Sequence, residues 1–196
     1  MQQPAARPAG ERRESHVGDG DRDLRPLFDP RSLAVVGASA DAAKWGGDLA
    51  RRLHASAGRR RLYFVNRRGG TLHGRPVARS LSDLPEAPDL VFLAVPAAAA
   101  GEVVDEGLRL GARAFVGIFA GLGETGPEGR RRERALAERV RAAGSVLLGP
   151  NCMGLADAGS GLQGVAYLEV PFGDIGFLSQ SGAMGEEMAV RTRAAG

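Results

Sequence analysis

The residues best suited to bind an anion lie in the turn after the first apolar run, SLAVVG. Ligands of open parallel sheets bind beyond the carboxyl ends of the strands, where free N–H groups at the start of the next helix attract phosphate. A lysine nearby could add a positive charge. An ordinary glycine-rich turn between a strand and a helix is the alternative. The residues of this predicted phosphate-binding turn are Gly37, Ala38, Ser39, Ala40 and Lys44.

The end of the second apolar run, LYFVN, carries a different signal. NAD-binding domains place an acidic residue there to hydrogen-bond the ribose diol, whereas this chain has Asn66, Arg67 and Arg68. Two guanidinium groups suit a phosphate on the adenosine ribose. The position therefore argues against NAD and leaves NADP, with its 2′-phosphate, and coenzyme A, with its 3′-phosphate. Solvated loop arginines are the alternative without a ligand.

The turn also lacks the dinucleotide fingerprint G-x-G-x-x-G, because Ser39 and Ala42 occupy two of its glycine positions. This departure weakens the interpretation as an NADP-dependent oxidoreductase domain.

The string GPNCMG begins at Gly149, after the last predicted strand of the sheet. Asn151 in this loop can hydrogen-bond the backbone or a ligand. A nucleophilic role for Cys152 would need a neighbouring base to form the thiolate. The three histidines lie in the leader, in a helix and in a loop, and none of them is an obvious base for this thiol. We therefore interpret Cys152 as packed and unreactive.

The string SQSG lies between an apolar run and a helix. The hydroxyl groups of Ser179 and Ser181, with the free N–H groups at the helix start from Gly182, could bind an anion. Ser181 is equally suited to cap the helix. Taken alone, the string favours the cap.

Short apolar runs alternate with helical patterns along most of the chain. This alternation predicts an α/β fold with a Rossmann-like, doubly wound parallel sheet over residues 27–160. Residues 1–26 are expected to form a disordered leader, 155–170 a loop with an irregular strand, and 171–196 the first β-α unit of a truncated second α/β domain. Strands are predicted at 32–37, 62–66, 89–96, 114–119, 146–149 and 174–178, and helices at 46–58, 97–111, 127–143 and 183–193.

The composition limits the classes of ligand and partner that this chain is expected to bind. The net charge of +3 suits a phosphate-rich small ligand, but no basic stripe with interleaved aromatics indicates nucleic acid. A single cysteine excludes an internal disulfide and fits a reducing cytoplasm. Without a signal peptide or an apolar run long enough to cross a bilayer, we expect a cytoplasmic protein that does not bind a membrane.

Six strings in order resemble the ADP-forming acetyl-CoA synthetases, a family of NDP-forming acyl-CoA synthetases related to the succinyl-CoA synthetase alpha subunit. The resemblance covers about residues 27–193. The strings are FDPRSLAVVGAS (28–39), VN with its basic loop (65–68), VPA (95–97), AGLGETG (120–126), GPNCMG (149–154) and LSQSGAMG (178–185).

The resemblance implies an acid–thiol ligase that interconverts acyl-CoA, phosphate and NDP with the free acid, CoA and NTP. The turn after Gly37 would hold the CoA phosphates, and Arg68 would lie near the nucleotide end of CoA. The segment Ser179–Gly182 would start a helix that points at the transferred phosphate, with Asn151 close by. The resemblance therefore favours anion binding by this segment over a purely capping role. The CoA groove would be lined by Val95, Pro96, Ile118 and Phe119.

The resemblance also implies what this chain lacks. The family transfers phosphate through a histidine of the next, flavodoxin-like ligase domain, and none of His16, His54 and His73 matches its context. We therefore expect no catalytic residue and no protein-bound metal in this chain. ATP, ADP and Mg²⁺ would act only through missing domains or an ATP-grasp (beta) partner subunit. A stand-alone, non-catalytic CoA-binding module remains the alternative function.

Overall fold

A parallel β-sheet between two helical layers forms the body of the protein, in a computed structural model that describes residues 23–195. The strands are β1 (Ser32–Val36), β2 (Arg61–Val65), β3 (Thr71–Leu72), β4 (Arg75–Ala78), β5 (Leu90–Leu93), β6 (Ala114–Gly117), β7 (Val146–Leu148), β8 (Gly154–Asp157) and β9 (Leu162–Val165). The helices are α1 (Arg25–Phe28), α2 (Trp45–Ala55), α3 (Ala97–Leu110), α4 (Pro127–Ala142) and α5 (Gly182–Ala195), with 3₁₀ turns at Leu81–Asp83 and Gly123–Thr125.

The seven-stranded sheet has the order β3-β4-β2-β1-β5-β6-β7. Every neighbouring pair is parallel except β3 and β4, which form a short antiparallel hairpin. From β1 the chain moves outward to β2 and β4, and then returns to the other side of β1 for β5. The direction of winding therefore reverses between β1 and β5, and such a reversal opens a crevice at the carboxyl ends of the strands.

The central strands β1, β5 and β6 are buried along their whole length because both faces of the sheet are covered. Successive side chains point to opposite faces. Val35 and Phe92 pack under α2 in one core cluster, while Val91 and Phe115 pack with α3 and α4 in the other. The burial of all four side chains is complete, so the central strands are held from both sides.

The predicted Rossmann-like sheet is confirmed, with each predicted strand and helix between residues 32 and 149 found within three residues of its bounds. The leader was predicted too long. Residues 1–22 lie outside the described part of the chain, but α1 begins at Arg25. It is held in place because Leu27 is buried and Asp23 pairs with Arg113.

Residues 155–170 form more than the predicted loop. β8 and β9 make an antiparallel hairpin that packs against α2, and Leu162 and Ala166 are fully buried beneath it. The predicted domain boundary at residue 160 therefore falls in the turn of this hairpin.

The strand predicted at residues 174–178 is absent from the structure. Ile175 is 89% exposed and Leu178 is 93% exposed. The apolar run gave the signal of a buried strand, but no described strand lies beside it to satisfy its backbone groups. The helix predicted after it is present as α5.

Replacing Gly46 tests how tightly α2 packs on the β1 turn. A Cβ at this position would lie 2.0 Å from the carbonyl oxygen of Gly37, so we expect Gly46→Ala to lower the free energy of unfolding by about 2 kcal/mol. Alanine normally stabilises a helix relative to glycine, which makes the sign of the change diagnostic. Urea unfolding measures it.

The matched control is Gly176→Ala, because a Cβ there meets no atom within 4 Å. We expect this variant to unfold at the wild-type urea concentration. Equal or greater stability of Gly46→Ala would contradict the close packing.

Candidate functional site

The predicted phosphate-binding turn is fixed at its start by backbone contacts. Gly37 has a positive φ of 90°, and a Cβ on it would lie 2.2 Å from the carbonyl oxygen of Ala94. The N–H groups of Gly37 and Ala38 both donate to the carbonyl of Val65, at 2.9 and 3.2 Å. The turn is therefore held between the ends of β2 and β5.

The rest of the turn carries backbone N–H groups suited to an anion. The Asp41 N–H donates to the Ser39 hydroxyl at 3.1 Å, and the Asp41 carboxylate accepts from the Ala43 N–H at 3.0 Å. Asp41 also lies 3.7 Å from the ammonium group of Lys44, so it offsets the positive charge proposed for that lysine. Within residues 23–195 the N–H groups of Ser39 and Ala40 form no hydrogen bond.

Asn66 joins the predicted arginine turn to the phosphate-binding turn. Its amide N–H₂ donates to the Ala38 carbonyl at 2.7 Å, and its amide oxygen accepts from the Arg68 N–H at 3.0 Å. Arg67 and Arg68 are exposed, and neither guanidinium has an ion-pair partner among the described side chains. The structure thus places the segment that carries both arginines beside the turn.

A third arginine, which the sequence analysis missed, joins them. Arg79 directly follows β4, the parallel neighbour of β2, and its Nε lies 3.4 Å from the position of a Cβ on Gly69. Its side chain is also exposed. The signal in the sequence was RPVAR, but the strand was too short and too polar to be recognised.

An apolar cleft of about 300 Å³ opens on the other side of the turn. It brings together five residues that the sequence analysis singled out, Val95, Pro96, Ile118, Phe119 and Asn151. Four further lining residues were missed as groove residues, Trp45, Ala94, Ala120 and Cys152. All nine lie at the carboxyl edge of the sheet or at the start of α2.

The GPNCMG loop is held by hydrogen bonds to β6 and the segment after it. The Asn151 N–H donates to the Phe119 carbonyl at 2.9 Å, and the Cys152 thiol donates to the Gly117 carbonyl at 3.4 Å. Burial raises the pKa of the Cys152 thiol, which disfavours a thiolate. His54 and His73 stack on each other at 4.9 Å and do not line the cleft.

The SQSG string lies close to this loop. A Cβ on Gly182 would be 3.0 Å from the Met153 side chain. The Ser181 hydroxyl accepts from the Met184 N–H at 3.3 Å, as a helix cap does, and the Ser179 hydroxyl accepts from the Ser181 N–H at 3.0 Å. The structure therefore contains the cap, and anion binding by this turn stays a prediction.

Asp48 anchors the start of α2 although its carboxylate is buried. It accepts from the Tyr167 N–H at 2.5 Å and from the guanidinium groups of Arg51 and Arg52 at 2.6 and 2.7 Å. Burial alone would raise the pKa of Asp48, but these three donors together hold it below its ordinary value. The carboxylate is therefore charged, and both of its oxygens accept hydrogen bonds.

Comparison with known families identifies the domain that carries this edge of the sheet. The family model described as a CoA binding domain matches residues 31–158. The chain belongs to the CoA-binding domain family. The CoA-binding domain implied by the six strings is thereby confirmed. Within residues 23–195 no helix is both long and apolar enough to cross a membrane.

Several ligases and a solved structure are similar along most of the chain. Subunit alpha of the ADP-forming acetate–CoA ligase II of Pyrococcus furiosus is 34% identical over 166 residues, which is 85% of this chain and 36% of that subunit. A protein of Pyrococcus horikoshii OT3 superposes with a TM-score of 0.84 at 31% identity, covering 88% of this chain and 39% of that one.

The third similar protein is the dinucleotide-forming acetyl-coenzyme A synthetase 1 of Ca. Korarchaeum cryptofilum, solved with phosphate and ADP. It has a TM-score of 0.81 at 32% identity and covers 88% of this chain and 37% of that one. The chain thus spans little more than a third of the length of these three proteins.

Asp48 gives the CoA-binding domain an expected pH dependence. Because the folded pKa is depressed, the stabilisation is fully present above the unfolded pKa of about 3.9 and is lost as the pH falls through the folded value. We expect Asp48→Asn to unfold about 2 kcal/mol more easily at neutral pH. The difference from wild type should shrink below about pH 4.

Thermal unfolding of both proteins between pH 3 and 8 measures this difference. Asp174→Asn is the control, because Asp174 is exposed and should leave the midpoint unchanged. A difference that stays constant across the whole range would contradict a charged Asp48.

Proposed function

We propose that this chain binds coenzyme A along the carboxyl edge of its sheet. The observation that carries the proposal is the order of chemistry across the strands. Exposed arginines follow β4 and β2, free N–H groups follow β1, and the apolar cleft follows β5, β6 and β7. CoA has a matching order of groups: a 3′-phosphoadenosine, a diphosphate and an uncharged pantetheine arm with a gem-dimethyl group.

Each part of the edge then has a role. The Ser39 and Ala40 N–H groups would bind the diphosphate, as helix-preceding turns do. Arg67, Arg68 and Arg79 would bind the 3′-phosphate, since guanidinium groups form strong charge-assisted hydrogen bonds to phosphate. The cleft would exclude water from the pantetheine arm and direct the arm towards Asn151.

We further propose that the chain is the CoA-binding part of an ADP-forming acyl-CoA ligase, which interconverts an acid, CoA and ATP with acyl-CoA, ADP and phosphate. The similarity to ligase subunits supports this role. The SQSG turn would face the phosphoryl group that a histidine outside this chain carries. ATP and Mg²⁺ would be held by an ATP-grasp module or subunit.

Calorimetric titration with CoA, dephospho-CoA and NADP tests the binding site. We expect CoA to bind and dephospho-CoA to bind about tenfold or more weakly, because one or more charge-assisted hydrogen bonds are lost. Binding of NADP with CoA excluded would replace the proposal with an oxidoreductase domain. Absence of binding by all three would refute CoA binding by this chain.

Variants of the arginines test which groups hold the 3′-phosphate. We expect Arg68→Ala and Arg79→Ala each to weaken CoA about tenfold while leaving dephospho-CoA unchanged. Arg59→Ala is the matched control, because Arg59 is an exposed arginine in the turn before β2, at the opposite edge of the sheet. Equal losses of affinity for CoA and dephospho-CoA would contradict a contact between these arginines and the 3′-phosphate.

A further inference from the structure

Tyr167 makes three contacts with the start of α2 and the turn before it. It lies just after β9, outside residues 31–158 that match the family model. Its N–H donates to the Asp48 carboxylate at 2.5 Å, and its hydroxyl donates to the Ala43 carbonyl at 2.7 Å. Its ring meets Trp45 edge to face, with centroids 5.0 Å apart and planes at 77°.

These contacts fall on a turn with little other support. Ala38 is buried at one end of the turn and Gly46 at the other, but residues 40–45 are exposed. The hydrogen bonds of the Ser39 and Asp41 side chains stay within the turn. Its end is joined to α2 through the backbone, because the Lys44 carbonyl accepts from the N–H groups of Gly47 and Asp48. Among the described residues, Tyr167 is the only one whose side chain hydrogen-bonds residues 39–44 from outside.

We propose that Tyr167 is a positioning residue of the CoA site, which holds the phosphate-binding turn and Trp45 in the conformation that binds the diphosphate. The proposal rests on CoA binding at this edge. An ordered turn presents its N–H groups without the entropy loss of fixing a mobile backbone when ligand arrives. Because Trp45 also lines the cleft, the Tyr167 ring supports one wall of it.

Tyr167→Phe isolates the hydrogen bond to the turn, since it keeps the ring on Trp45. We expect CoA affinity to fall about three- to tenfold, the range of one net hydrogen bond. Pantetheine, which has no diphosphate, should bind as it does to wild type. Quenching of Trp45, the one tryptophan of the chain, reports both ligands.

The matched control is Tyr63→Phe. It removes a tyrosine hydroxyl that donates at the same 2.7 Å, but to Glu86 and not to the turn, so it should leave CoA affinity unchanged. Wild-type CoA affinity in Tyr167→Phe would overturn the proposal. An equal loss for CoA and pantetheine would also overturn it, because the effect would then act on the cleft and not through the turn.

Hydrogen exchange of the ligand-free proteins makes the test independent of CoA binding. We expect the amides of Asp41, Ala43 and Lys44, which are hydrogen-bonded within the turn, to exchange faster in Tyr167→Phe than in wild type and at the wild-type rate in Tyr63→Phe. Unchanged exchange in Tyr167→Phe would overturn the positioning role. If wild type fails to bind CoA while the exchange difference appears, the proposed ligand is wrong and the ordering of the turn by Tyr167 stands.

Discussion

The backbone contact between α2 and the β1 turn is the constraint on which the site depends. Gly37 touches the chain after β5 on one side, and Gly46 touches Gly37 on the other. No side chain fits between these three segments. Their closeness brings the first turn of a helix to the point where the winding of the sheet reverses. The N–H groups proposed to bind the diphosphate, the arginines after β2 and the cleft after β5 are neighbours for this reason.

The chemistry of the edge changes from one strand to the next in a single direction. Charge is exposed at the ends of β2 and β4, where Arg67, Arg68 and Arg79 reach solvent. At β6 and β7 the same edge is apolar, and the one ionisable group there, Cys152, has its pKa raised by burial. A ligand with a charged and an apolar end can bind such an edge in one orientation only. Orientation is therefore set by the sheet order rather than by any single contact.

Most of the sheet could be predicted because its strands are buried on both faces and read as continuous apolar runs. The two hairpins could not, since β3 has two residues and β4, RPVA, is half polar. With β4 unrecognised, Arg79 had no position in the fold. The strand predicted at 174–178 was wrong for the opposite reason. Its apolar pattern is strong, but no described strand pairs with it.

The candidate site was predictable where it follows strand ends and unpredictable where it depends on distant contacts. Gly37, Asn66 and Arg68 follow apolar runs, so their place at one edge followed from parallel topology. The Tyr167 hydroxyl donates a hydrogen bond to the Ala43 carbonyl across 124 residues of sequence. No local sequence pattern predicts such a pair.

The β8–β9 hairpin shows that a family boundary and a folding unit need not coincide. The matched region ends at residue 158, between the two strands. β9 lies beyond it, yet Leu162 and Ala166 complete the same core cluster as Leu49 and Leu53 of α2. A fragment trimmed to the family limits would keep every residue proposed to touch CoA and expose the apolar side of α2, the helix that follows the phosphate-binding turn. Expression boundaries for related domains are better drawn after the second strand of this hairpin.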